Sequence, residues 1–254
     1  MKAMILAAGL GTRLHPLTEN RPKALVEIQG APLLHWTILS LARQGFSEVI
    51  VNAHHFSDQI TDFLEHFPRT FRSVSLTLAV SREEQLLDTG GGVQNARWFL
   101  DGPEPFLVHN VDVLSDFNLT EIAQAHVRSG ALATLGVQAR STSRQFLFDE
   151  KSELCGWQSR QSGELRMARS PKVTPTPLSF TGIQMLSPEF FRECTARAPF
   201  SLVEAYLQLA GNGHKIMAFQ QDSARWADLG RPEQLAKACE LFGPDYFRSL
   251  GVDL

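Results

Sequence analysis

The sequence predicts an α/β fold built on a mostly parallel sheet, and three observations predict it. Short apolar runs alternate with helix-period segments, a glycine turn follows the first run, and 254 residues suffice for one large core. Residues 3–8 form the first apolar run, a buried strand that breaks at Gly9. Between Pro32 and Gln44, Leu34, Ile38 and Leu41 share one helical face, and Gly45 is placed to end it. Residues 48–52 read as a second buried strand. Ser57 is a candidate N-cap for a helix whose apolar side is Ile60, Phe63, Leu64 and Phe67, stopped by Pro68. Residues 74–80 alternate apolar and polar as a third strand, and 104–110 form a fourth that ends at Val111-Asp112.

Residues 121–128 read as a helix closed by Gly130, and 131–137 as a strand. From 139 to 177 the chain turns rich in Ser, Arg, Gln and Pro, with hairpin-strand patches at 146–148 and 154–157. This stretch is expected to be a small inserted subdomain within a single domain spanning 1–254, and 169–177 is its one linker-like segment. Apolar strand character resumes at 178–186. Helices follow near 188–197 and 202–210, then a strand at 215–219 and a closing helix at 232–241. There are no internal repeats or low-complexity tracts.

Composition narrows the function classes. Lys plus Arg number 24 against 27 Asp plus Glu, so no basic field for nucleic acid or an acidic membrane surface exists. Cys155, Cys194 and Cys239 are odd in number and widely spaced, which argues against a disulfide framework and a zinc site. The N-terminal apolar run is too short for a signal peptide, and no uncharged run reaches membrane-spanning length. A cytoplasmic protein without membrane or nucleic-acid partners is expected.

The chemistry concentrates in the first thirty residues. Gly9 and Gly11 let the backbone turn and bring bare N–H groups against a phosphate, while Arg13 offers a planar fork and Lys23 a point charge. Leu14 stands where a dinucleotide fingerprint needs its third glycine, and the Walker Gly-Lys-Ser/Thr is absent. A slightly acidic protein that holds a nucleoside triphosphate also needs a divalent cation. Asp112, at the end of an apolar strand, is either a turn former or a carboxylate reaching those phosphates. A second glycine run, Asp88-Thr-Gly-Gly-Gly92, is either a flexible turn before a helix or a close approach to a ligand.

The run Gly-Leu-Gly-Thr-Arg-Leu-His-Pro-Leu-Thr at 9–18, followed by Pro22-Lys23, resembles the signature of the sugar-1-phosphate nucleotidyltransferases. The resemblance implies a Rossmann-like, three-layer nucleotidyltransferase fold with a mostly parallel sheet, and places 139–177 on the sugar side. It implies transfer of a nucleoside monophosphate from an NTP to a sugar 1-phosphate, with pyrophosphate released, by a monomer or homodimer. Arg13 and Lys23 become the catalytic cations. Ala8, Gly9, Gly11, Thr12, Arg13, Thr89, Gly90 and Gly91 become nucleotide contacts, and Asn110, Thr181 and Gly182 sugar contacts. Asp112, and Asp228 in Trp226-Ala-Asp-Leu-Gly230, become ligands of Mg2+.

Two departures stand out: Val111 replaces the usual glycine before the first metal carboxylate, and the Glu-Lys-Pro motif is missing, with Arg144 and Lys172 as weak substitutes for its lysine. Within the family the Leu-Asp-Thr-Gly-Gly-Gly loop is most similar to short N-acetylmuramate-1-phosphate uridylyltransferases, which makes UTP and N-acetylmuramate 1-phosphate the expected substrates. Mannose- or heptose-1-phosphate guanylyltransferases share the first motif. The chain ending at Leu254 leads us to expect no appended β-helix domain. A non-catalytic nucleotide sensor remains an alternative, opposed by the presence of Arg13, Lys23, Asp112 and Asp228. An NAD-dependent dehydrogenase is disfavoured because Asn52-Ala-His-His stands where it needs an acid.

Overall fold

The computed structural model describes residues 1–251 as a ten-stranded sheet covered on both faces. The main strands and helices, in chain order, begin with β1 (Lys2–Leu6), α1 (Leu33–Arg43), β2 (Glu48–Ala53), α2 (Ser57–His66), β3 (Thr77–Arg82) and α3 (Asp88–Asn95). They continue as β4 (Phe106–Asn110), β5 (Val113–Ser115), α4 (Leu119–Ser129), β6 (Ala133–Gln138), β7 (Arg144–Phe148), β8 (Leu154–Ser159) and β9 (Leu165–Met167). The last are β10 (Thr176–Leu186), α5 (Leu202–Gly211), β11 (Ile216–Gln220), β12 (Trp226–Asp228) and α6 (Pro232–Gly251).

Sheet order is β9-β8-β7-β10-β4-β1-β2-β3, with β6 and β11 continuing from β10 on its other side. Strands β4-β1-β2-β3 are parallel, as are β6 and β11, whereas β10 runs antiparallel to β4, β6 and β7. Successive strand side chains point to opposite faces, so two cores share each central strand. Ala3, Ile5, Val49 and Val51 join α1, α4 and α6 on one face. Met4, Ile50 and Val108 join α3 and α5 on the other. The β-α-β alternation thus produced the three layers the sequence implied.

Several boundaries differ from expectation. The run at 74–80 is two strands: Val74–Ser75 closes a small hairpin with Thr70–Phe71, and β3 alone enters the sheet. Ser57 is the first helical residue rather than the cap, which is Phe56 in a left-handed conformation. Residues 139–177 carry a third strand, β9, that the sequence pattern did not show, and β7-β8-β9 hydrogen-bond in series onto the first half of β10. The expected helix at 188–197 shrinks to Phe190–Glu193, and α6 runs ten residues past Leu241, bending at Gly243.

Candidate active site

The sequence places a glycine turn at the carboxyl end of β1, and the fold puts that turn beside the ends of β2 and β4. Gly11 has φ 67°, the left-handed region, and a side chain there would press within 3.2 Å of Lys23 Cβ and Thr18 Cγ2. The Thr18 hydroxyl donates to the Gly11 carbonyl at 2.9 Å and pins the turn. One helical turn follows, Thr12–Leu14, which buries Leu14 and leaves Arg13 exposed. The Arg13 guanidinium reaches across to Gly230: a methyl group on Gly230 would lie 3.2 Å from its Nη2. Arg13 makes no ion pair among the described residues.

Lys23 is 9% exposed, and its ammonium donates to the Asp112 carboxylate in an ion pair that spans 89 positions of sequence. Removing a cation and an anion from water is costly unless each satisfies the other. Asp228 arrives from a different direction. β12 pairs antiparallel with β5, setting Asp228 opposite Val113, and the Leu229 amide donates to the Asp112 carbonyl at 2.7 Å. Two carboxylates therefore rise from neighbouring strand ends.

Asp228 Oδ1 accepts from the Gly230 amide at 2.7 Å. Asp112 Oδ1 and Asp228 Oδ2 carry no hydrogen bond from any described residue. Among the described residues no group of three or more His, Cys, Asp or Glu could enclose an ion. Magnesium is ordinarily held by one or two carboxylates with water and substrate phosphates, so this donor set fits it. Val111 is 3% exposed and packs into the core while also forming part of the cavity wall beside Asp112.

A cavity of about 460 Å³ opens between these strand ends. Of the residues singled out from sequence, Ala8, Gly9, Lys23, Thr89, Asn110 and Asp112 line it. Asn52 and Glu83 line it too, and sequence reasoning had missed both. The Asn52 side chain accepts from the Ala7 amide at 2.7 Å and donates to Glu83 at 2.6 Å, while the other Glu83 oxygen accepts from the Leu87 amide at 3.0 Å. This chain of bonds ties the first glycine turn to the start of α3. Each is a polar residue at or just past the end of an apolar strand, the same signal that marked Asn110 and Asp112.

The second glycine run is not a loop. Asp88 to Asn95 are helical, and the Gly90 and Gly91 amides, expected to face nucleotide, both donate to the Phe200 carbonyl at 2.9 and 3.2 Å. These glycines are small so that Phe200 and Ala198 can pack on the helix, since a Cβ on Gly90 would fall 2.2 Å from the Phe200 ring. Thr89 keeps its place at the cavity wall while its hydroxyl accepts from the Leu202 amide at 2.9 Å.

On the sugar side Thr181 is fully buried and its hydroxyl donates to the Gly136 carbonyl at 2.8 Å, so it holds β10 to β6 and is withdrawn from any ligand. Gly182, φ 80°, sits where the β6–β10 register slips, and a methyl there would come within 3.0 Å of the Asn110 amide. Its missing side chain makes room for Asn110. His109, behind Asn110, is pushed down to about 4 by burial, so it is neutral and donates from Nδ1 to the Asn110 carbonyl.

A backbone turn, two cations and two carboxylates at the carboxyl end of a parallel sheet define a place for phosphate oxyanions. Residues 2–147 match the family model described as nucleotidyl transferase. The chain belongs to the nucleotidyl transferase family. It is 30% identical over 238 residues to the N-acetylmuramate alpha-1-phosphate uridylyltransferase of Caulobacter vibrioides, covering 91% of this chain and 92% of that protein. It is 29% identical to the protein of the same name from Neisseria meningitidis, covering 96% and 99%. A probable mannose-1-phosphate guanylyltransferase 2 of Oryza sativa is 28% identical, over 95% of this chain but 64% of that protein. Among solved structures, the UDP-glucose pyrophosphorylase of Acinetobacter baumannii superposes with a TM-score of 0.74 at 18% identity, covering 99% and 98% of the two chains. HddC from Yersinia pseudotuberculosis superposes with a TM-score of 0.70 at 22% identity, covering 95% and 99%. These two likenesses concern the fold.

Proposed function

We propose that the chain joins a sugar 1-phosphate to a nucleoside triphosphate, releasing pyrophosphate, and that its preferred pair is UTP with N-acetylmuramate 1-phosphate. The observation that carries the reaction class is the meeting of Lys23 and Asp112 in the cavity beside the glycine turn. Two relatives named as uridylyltransferases, at 30% and 29% identity, support the uridylyl reading.

In such a transfer the acceptor phosphate is already ionised at neutral pH, so no general base is required. Positioning and neutralisation of charge supply the catalysis. Ala8, Gly9, Gly11 and Thr12 cradle the triphosphate, and Arg13 holds the departing pyrophosphate. Lys23 exchanges its carboxylate partner for phosphate oxygens and draws donor and acceptor together. Asp112 and Asp228 would hold Mg2+, which when bound offsets phosphate charge. Asn52 and Glu83 keep the first glycine turn and the start of α3 at a fixed separation, and Asn110 with Gly182 faces the sugar. We assign residues 139–177 to the sugar side of a single cytoplasmic domain that works as a monomer or homodimer.

Pyrophosphate release from UTP, GTP, CTP and dTTP, each paired with N-acetylmuramate, mannose and glucose 1-phosphates, tests the reading. The expected result is turnover highest with UTP and N-acetylmuramate 1-phosphate, abolished by a chelator and restored by Mg2+. Silence across the panel, with nucleotide still bound, would establish a sensor instead.

A further inference from the structure

Arg140, two residues past the end of β6, is a cation without an anion. Its guanidinium carbon lies 3.6 Å from the centroid of the Trp226 ring. Nη2 donates to the Phe180 carbonyl at 3.1 Å. Nε is buried with no partner, and among the described residues no carboxylate lies within ion-pair distance. Burial lowers the pKa of the group from the ordinary arginine value, opposed by the charge of Asp228. A desolvated, unpaired guanidinium is expensive, and folded proteins keep such groups where something pairs with them.

The position is built rather than accidental. The Arg140 carbonyl accepts from Ser179 Oγ at 2.7 Å and from Gln145 Nε2 at 3.1 Å, so the backbone is held from two strands. The Trp226 indole is fixed by its own bond to the Thr181 carbonyl at 2.7 Å. Arg140 and Trp226 lie outside the cavity wall itself, behind it: Gly182 follows Thr181 and leaves room for Asn110, which lines the wall. Trp226 is two residues from Asp228 on the same strand. Arg140 is within electrostatic reach of Asp228, one of the two carboxylates, and belongs to the 139–177 segment assigned to the sugar side.

We propose that Arg140 is an acceptor-binding residue that pairs with an oxyanion of the incoming sugar, either its 1-phosphate or a carboxylate on its ring. The Trp226 ring and the Phe180 carbonyl hold the guanidinium, so little rotamer freedom remains to be lost on binding, and Nη1 is left to donate to the anion. Neither Arg144 nor Lys172 has such a setting: Arg144 is exposed on β7 and Lys172 is exposed between β9 and β10.

The inference rests on the proposed reaction, and Arg140→Gln and Arg140→Lys test it. If Arg140 serves an absent anion, Arg140→Gln unfolds at the same or a higher temperature than wild type, because an unpaired charge has gone. The KM for the acceptor rises about 10- to 100-fold while the KM for the NTP changes less than about threefold, and Arg140→Lys lies between. Equal losses with mannose 1-phosphate and N-acetylmuramate 1-phosphate identify the phosphate as the partner. A loss confined to N-acetylmuramate 1-phosphate identifies the carboxylate. An unchanged acceptor KM, or equal rises in both KM values, overturns the proposal, as does a fall in unfolding temperature with unchanged KM. Should wild type release no pyrophosphate, the reaction class fails separately. Thermal stabilisation by the two sugar 1-phosphates then decides: a shift in wild type that Arg140→Gln lacks upholds the anion site, and equal or absent shifts overturn it.

Discussion

Lys23 and Asp112 are 89 positions apart, yet each is the other's ion partner at the cavity wall. Replacing Lys23 with Ala leaves Asp112 without its cation and removes the charge that would meet phosphate in the transition state. We expect kcat to fall by about 10²- to 10³-fold, the size of loss typical of one preorganised electrostatic group. Nucleotide affinity, measured by calorimetry, should change only a few-fold, and near-normal turnover would remove Lys23 from the chemistry. His126 makes a different residue-scale prediction. Ser187 Oγ gives its proton to the Ala131 carbonyl, so it accepts from His126 Nε2, and Nδ1 in turn accepts from Thr134. Burial holds this neutral imidazole down to about 4, as it does His109. With 6.5 in the unfolded chain, the unfolded state binds more protons between those values, so stability is full above pH 6.5 and declines as pH falls toward 4. Urea unfolding should report a loss of ~2 kcal/mol per histidine between pH 7 and pH 5, and His126→Gln should flatten about half of the slope. A level profile in wild type would contradict the assignment.

At the scale of elements, α3 shows why local reading fails. Three consecutive glycines read as a loop because glycine is a poor helix former, yet Asp88 to Asn95 are helical. Their smallness is required by Phe200, which comes from over a hundred positions away and both packs on Gly90 and accepts its amide. Gly90→Ala should therefore destabilise the protein by about 1–3 kcal/mol through overpacking, even though alanine favours helix. In a double-mutant cycle with Phe200→Ala, the pair should cost less than the sum of the single changes. Additive effects in denaturant unfolding would show that the ring does not set the glycine. Helix α6 shows the converse, since its continuation beyond Leu241 comes from packing against α1. Phe247 is 3% exposed and its ring meets Trp36 edge-on at 5.0 Å.

Across the whole molecule, that contact closes one face of the sheet, so Phe247→Ala should cost about 3–5 kcal/mol and lower a single cooperative transition followed by tryptophan fluorescence. A separate early transition of the C-terminal helix would mean that it is not part of the core. The parallel half of the sheet was legible because β1, β2 and β4 are short apolar runs bounded by turn residues, and period and burial are local properties. The first turn and Lys23 were legible because their residues lie close together along the chain, whereas Asp228, and a metal role for Asp112, were expected only from the family resemblance. The amino-acid sequence by itself determined the α/β class, the glycine turn after the first strand and the family. Only the tertiary structure decided that Asn52 and Glu83 join the first turn to the start of α3, that Gly90, Gly91 and Thr181 serve packing and the sheet, and that Arg140 stands unpaired on Trp226. Each of those facts depends on a partner brought in from a distant strand, and a hydrogen bond or a missing counter-charge exists only once both partners have a place in space.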